Sequence, residues 1–254
     1  MHLHRFYLPP SQCQGQEILL AGREAHHALD VLRLRVGQRL EVLDGVGNEL
    51  LCEAREVASR QFRLAVVQRH SRPPFPCRLT LLQAVPKGKT MDLIVQKATE
   101  LGVSRIVPLR SERTVPNLDD DSAEAKRDKW RQTAIEALKQ CGNPWLPEIE
   151  LPLTPREFLA RNETFDLPLV ASLQAGRRHP RACFSEFQAR HQRAPASLCV
   201  WIGPEGDFTP AEMNEIKGAG ALPITLGPLI LRSDTAAICS ISVLNYELQA
   251  AAAS

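Results

Sequence analysis

The sequence predicts a mostly parallel α/β domain preceded by a small, barrel-like β module with one helix. Three observations carry that reading. Upstream of residue 73 the apolar pattern is short and strand-like, enriched in Val, Leu and Phe. Arg72-Pro73-Pro74-Phe75-Pro76 then places three prolines in four residues, which neither a central strand nor a helix interior accepts. Downstream, apolar strands alternate with helical stretches, the pattern of a parallel sheet covered on both faces. The expected domains are therefore residues 1–72 and 73–254.

In the first domain, His2–Tyr7, Arg39–Leu43, Glu49–Val57 and Gln61–Gln68 read as strands, and Arg23–Leu32 as the helix. Asp44-Gly45-Val46-Gly47-Asn48 reads as a hairpin turn. In the second, the strands are Arg78–Val85, Ser104–Leu109, Leu167–Ser172, Ser197–Ile202 and Leu222–Leu226. The helices are Thr90–Gly102, with Ile94, Ala98 and Leu101 on one face, Asp119–Gln140, which starts acidic and ends basic, and Ser233–Gln249. Gln174–Arg181 reads as a polar loop and Ala250–Ala253 as a fraying tail.

Composition excludes several classes. Of 254 residues, 44% are apolar and 24% charged, which argues against a disordered, collagenous or rod-like chain. No apolar run reaches the roughly 18 residues of a membrane helix, and Met1–Pro10 lacks a secretory core, so a cytoplasmic protein without membrane contact is expected. Seven cysteines, none spaced C-x-x-C, argue against a disulfide framework and a zinc site. His26 and His27 are adjacent and point about 100° apart on a helix, so they form no metal pair. No metal is expected.

The net charge of +2 is near neutral, but residues 1–72 hold ten Arg and no Lys. An Arg excess is compatible with RNA, because guanidinium binds phosphate bidentately and stacks on bases. Arg5, Arg33 and Arg35, with Lys87 and Lys89 beyond the boundary, are the candidate phosphate contacts. A phosphate loop ending at Gly88-Lys89-Thr90 would need glycine where Gln83 stands, and no G-x-G-x-x-G occurs.

The informative region lies towards the C-terminus. Cys199–Glu212 reads strand, glycine–proline loop, helix start, with Thr209 as N-cap, Pro210 at N1 and Glu212 completing a capping box. Gly203 and Gly206 bracket Pro204-Glu205 and let backbone approach a ligand closely. A second such loop, Gly227-Pro228-Leu229-Ile230-Leu231, leads to Arg232 at the start of the last helix. A cation there is electrostatically odd and suggests an anion or developing negative charge nearby. An ion pair with Asp234 or with a carboxylate across an interface is the structural alternative.

GPEGDF and LGPLILRSDTA, with VPKGKTMDLIVQKATELGVSRIVPLRSERT and EAHHALDVLRLRVG earlier, resemble one family along essentially the whole chain. It is the family of small-subunit ribosomal RNA methyltransferases that act on N3 of a uridine, within the SPOUT superfamily. The resemblance implies an N-terminal PUA-like RNA-binding β-barrel and a C-terminal α/β domain tied in a trefoil knot. It also implies S-adenosylmethionine as cofactor, 16S ribosomal RNA as partner and a homodimer. By position, Ile202, Gly203, Pro204, Glu205 and Gly206 match the first cofactor motif. Leu226, Gly227, Pro228, Ile230, Leu231 and Arg232 match the second, and Leu173 falls where a further cofactor loop is expected. The chain departs from the pattern at Asp207, where the family has glycine. It departs again at Leu229, where Arg is usual, and at Ser233-Asp234, usually Thr-Glu.

These residues suit the chemistry. Loss of the uracil N3 proton puts negative charge on the flanking carbonyl oxygens, and Arg232 is the expected stabiliser. Glu205, Asp234 or water takes the proton. Two other functions share these features: a methyltransferase of the same fold on another RNA position, and a non-catalytic RNA-binding assembly factor. Cofactor binding separates the enzymes from the latter.

Overall fold

The structure is a computed structural model that describes residues 3–58, 60–114 and 120–252, with side chains omitted for 120, 121 and 250–252. His2 and Asp119, at the outer ends of two predicted elements, lie outside the described residues. The chain divides into two compact units. One comprises Met1–Pro74 and Ile135–Leu146, the other Phe75–Ala134 and Pro147–Ser254.

The first unit is built on β1 (Arg5–Tyr7), β2 (Glu17–Leu20), β3 (Arg39–Leu43), β4 (Asn48–Ala58) and β5 (Gln61–Ser71). Its sheet order is β1-β3-β4-β5-β2, parallel only between β1 and β3. Alternating side chains send Phe6, Leu20, Leu40, Val42, Leu50, Phe62 and Leu64 into the core. The predicted hairpin between β3 and β4 is present. Asp44 organises it: Oδ1 accepts the amides of Val46 and Asn48, both at 2.9 Å, and Oδ2 accepts Asn48 Nδ2. Gly47 takes φ of 98°, and a Cβ there would lie 2.4 Å from the Trp145 ring, so both torsion and space demand glycine.

The predicted helix starts as α1 (Gly22–His26) but continues as a π-helical turn over His27–Val31. His26 Nδ1 meets Asp30 at the surface, whereas His27 packs edge-on against Phe6. β2 lies outside the sequence expectation because four residues show too few alternations to register.

The second unit carries β6 (Arg78–Ala84), β7 (Arg105–Leu109), β8 (Glu148–Ile149), β9 (Leu167–Ala171), β10 (Ser197–Ile202) and β11 (Leu222–Ile224). All pair in parallel, in the order β11-β9-β10-β6-β7-β8. The helices are α2 (Thr90–Glu100), α3 (Asp120–Cys141), α4 (Pro155–Leu159), α5 (Pro180–His191), α6 (Pro210–Gly218) and α7 (Ser233–Ala252). The mostly parallel α/β architecture is thus as expected.

Two corrections apply. Helix α5 occupies a stretch in which the sequence reading placed only a polar loop ending at Arg181. Charged residues surround its few apolar anchors, Cys183, Phe184 and Phe187, and mask their period. Pro180 at N1 was the signal for its start. The supposed tail is helical through Ala252.

Candidate active site

Three loops leave the C-terminal ends of adjacent strands β11, β9 and β10 and converge, as ligand loops do in open α/β sheets. Loop A follows β9 from Ser172, loop B follows β10 from Gly203, and loop C follows β11 from Thr225 to Arg232. Together they line one shared cleft at these strand ends, the kind of concave place that small-molecule sites take in open α/β sheets. Of the residues singled out for the cofactor, Leu173, Ile202, Gly203, Pro204, Glu205, Leu226, Gly227 and Leu231 line it. Gly206, Pro228, Ile230 and Arg232 do not. Ile230 is 77% exposed and Leu229, which does line the cleft, is 74% exposed.

Sequence reasoning missed Ala171, Ser172, Arg177, Ser233 and Ala236 as lining residues, and it took Asp207 only as a departure from the motif. Most of these flank the predicted loops by one to four positions. Arg177 lies inside the predicted polar loop, and nothing local marks it as a cleft residue. The lining therefore carries two carboxylates, Glu205 and Asp207, one guanidinium, Arg177, and two hydroxyls, Ser172 and Ser233, among apolar residues.

Side chains lock the loops together. Asp207 Oδ1 accepts the Phe208 amide at 2.8 Å, and Oδ2 accepts the Leu173 amide of loop A at 3.2 Å. Ser233 Oγ donates to the Gly203 carbonyl at 3.1 Å and accepts from the buried Gln83 amide nitrogen at 2.9 Å, fixing the start of α7 to loop B. Arg113, from the loop after β7, donates to the Gly206 carbonyl. A Cβ at Gly203 would stand 3.1 Å from the Phe208 nitrogen and 3.2 Å from Asp207 Oδ1, so a side chain there crowds loop B and its neighbours must give by a few tenths of an ångström to admit it. One at Gly206 would meet only Arg113 Cδ at an ordinary 3.6 Å, so close approach does not explain that glycine.

The capping box of α6 forms as predicted, with reciprocal bonds between Thr209 and Glu212. Its carboxylate does more. Glu212 is 6% exposed and also accepts from Ser111 Oγ at 3.1 Å and the Glu112 amide at 2.9 Å. It ties the segment that carries Arg113 to the helix following loop B.

Arg232 is exposed at the end of loop C. Among the described residues its guanidinium makes no ion pair, with Asp234 or with any other carboxylate. Arg33, Arg35, Lys87 and Lys89 are exposed. Arg5 is placed otherwise: its guanidinium bonds Glu41 at 2.8 Å and the Gln140 carbonyl at 3.1 Å, inside the first unit. Desolvation pushes the buried Cys199 thiol up to about 12, which disfavours its thiolate.

The RNA methyltransferase domain family matches residues 73–245, most of the chain and all three loops. The chain belongs to the RNA methyltransferase family. A PUA domain of RNA methyltransferases also matches, over residues 20–64. Among relatives of this RNA methyltransferase, the ribosomal RNA small subunit methyltransferase E of Bacillus subtilis is 28% identical over 97% of this chain and 98% of its own. The Synechocystis protein of the same name is 29% identical over 97% and 78%. Among solved structures, a methyltransferase of Legionella pneumophila in complex with S-adenosylmethionine superposes with a TM-score of 0.86 at 30% identity, covering 97% of this chain and 98% of that one. The Neisseria gonorrhoeae ribosomal RNA small subunit methyltransferase E, bound to the same compound, gives 0.82 at 28% identity, covering 96% and 98%.

Proposed function

We propose that this chain is an S-adenosylmethionine-dependent methyltransferase acting on N3 of a uridine in small-subunit (16S) ribosomal RNA. The observation that carries the reading is the cleft where three loops meet at adjacent parallel strand ends, in a chain that shares nearly full-length similarity with proteins named ribosomal RNA small subunit methyltransferase E.

The residues present fit the cofactor. Ile202, Leu226, Leu231 and Ala236 offer apolar walls for a purine, and Glu205 offers negative charge near a sulfonium. Bound there, S-adenosylmethionine supplies an electrophilic methyl group. Arg232 lies outside the cleft lining and pairs with no carboxylate among the described residues, which supports assigning it to the uracil rather than the cofactor. Its planar donors stabilise charge on the carbonyl oxygens flanking N3. Glu205 takes the N3 proton: it lines the cleft, whereas Asp234 does not and accepts the Thr235 amide. The target base is turned out of any pairing, because N3 lies on the pairing edge.

The RNA backbone is held by Arg33, Arg35, Lys87 and Lys89, while Arg5 serves the fold of the first unit. The first unit acts as the PUA-like barrel, and the second carries a SPOUT-type trefoil knot. The protein works in the cytoplasm as a homodimer, for which the exposed Leu229, Ile230 and Tyr246 provide apolar surface. Mass mapping of modified nucleosides in 16S RNA from a strain lacking this protein should show loss of one N3-methyluridine. An unchanged map refutes the substrate assignment.

A further inference from the structure

Asp207 stands in the left-handed backbone region, with φ of 62°, where Asp is tolerated but glycine is favoured. Its carboxylate is divided between two amides. The bond to Phe208 closes its own turn, and the bond to Leu173 joins loop B to loop A, 34 positions apart in sequence. Among the described residues it is the one side-chain hydrogen bond linking these two walls of the cleft. Asp207 Oδ1 also stands 3.2 Å from where a Cβ on Gly203 would be.

We propose that Asp207 is a positioning residue that pre-organises the cleft for S-adenosylmethionine by holding the Leu173 amide against loop B. The proposal rests on the methyltransferase reading above. Glycine at 207 suits the backbone torsion but loses both bonds, so affinity separates from folding. Asparagine keeps one acceptor oxygen and offers a donor where the second amide needs an acceptor.

Calorimetry on the full chain tests it, with S-adenosylmethionine and S-adenosylhomocysteine as parallel ligands. Asp207→Gly should keep a cooperative melt near the wild-type temperature. It should weaken both ligands by about tenfold, the scale of one hydrogen bond to a charged acceptor. Asp207→Asn should weaken both by less. In turnover, KM for the cofactor should rise more than kcat falls, a split that a merely structural role would not produce. Unchanged affinity in Asp207→Gly overturns the proposal. So does a loss confined to S-adenosylmethionine, because that marks direct contact with the sulfonium charge. Should Asp207→Gly fail to fold, Asp207→Asn decides, and equal affinity to wild type overturns it. Wild-type protein that binds neither ligand removes the methyltransferase reading itself, which is a separate result.

Discussion

Replacing Glu212 with Gln changes one atom and leaves the shape of the α6 N-terminus intact. In the native structure Oε2 accepts from the Thr209 amide, Thr209 Oγ1 and Ser111 Oγ, while Oε1 accepts from the Glu112 amide. Glutamine has one acceptor oxygen. That oxygen takes the Oε2 place, where three donors converge, and its NH2 then faces the Glu112 amide, donor against donor. The lost charge-assisted bond costs about 1.5–3 kcal/mol. For a unit of this size about 2 kcal/mol corresponds to a fall of roughly 4–8 °C in Tm. Thermal unfolding by circular dichroism reads the shift directly, and calorimetry should show weakened S-adenosylmethionine binding, because the Arg113 contact to Gly206 hangs on the same segment. A Tm within 1 °C of wild type would mean that Glu212 is no more than an ordinary cap, and the reasoning would fail.

Gly203→Val should abolish S-adenosylmethionine binding with the fold retained, since its side chain meets Phe208 and Asp207 within 3.3 Å; Gly206→Ala should bind nearly as wild type, and calorimetry compares the two. Arg232→Ala should lower kcat by about a hundredfold or more, as for loss of one oxyanion donor, with cofactor affinity little changed and Arg232→Lys rescuing little; near-normal turnover in a folded variant ends the assignment. Neutralising Arg33, Arg35, Lys87 and Lys89 together should weaken RNA binding and reduce its salt dependence, measured by filter binding across ionic strengths. Asp166, before β9, makes two bonds to Arg193 at 2.8 and 2.9 Å, and these hold its carboxyl well below the usual carboxylate range. A depressed folded-state value means the stabilisation is complete above the unfolded pKa of about 3.9 and drains away as pH falls below it. Acid unfolding of Asp166→Asn should therefore lose that part of the pH dependence, while at pH 7 the variant is less stable than wild type.

Local order is legible in the sequence itself. The hairpin at Asp44–Asn48 and the capping box at Thr209–Glu212 rest on bonds between residues two to four apart, so residue type and spacing suffice to specify them. The longer strands and helices follow from hydrophobic period for the same reason. The short strand β2 and the helix α5 escaped, since few apolar positions in a charged stretch leave no clear period.

What the residues of one segment cannot specify is which distant segment they meet. The order β11-β9-β10-β6-β7-β8 places strands far apart in sequence side by side and so decides which loops share a cleft. Arg177 enters the lining and Arg232 stays outside it, although each lies in a loop that helps form the cleft. Arg5 reads like any other arginine in a basic first domain, yet Glu41 and the Gln140 carbonyl claim it. Asp207 reads as a departure from a glycine motif, yet its carboxylate accepts the Leu173 amide of another loop. Hydrophobic period and turn chemistry act within a few residues and survive in the sequence. Ion pairs, loop ties and cleft walls depend on long-range burial and strand order, which exist only once the chain has closed on itself.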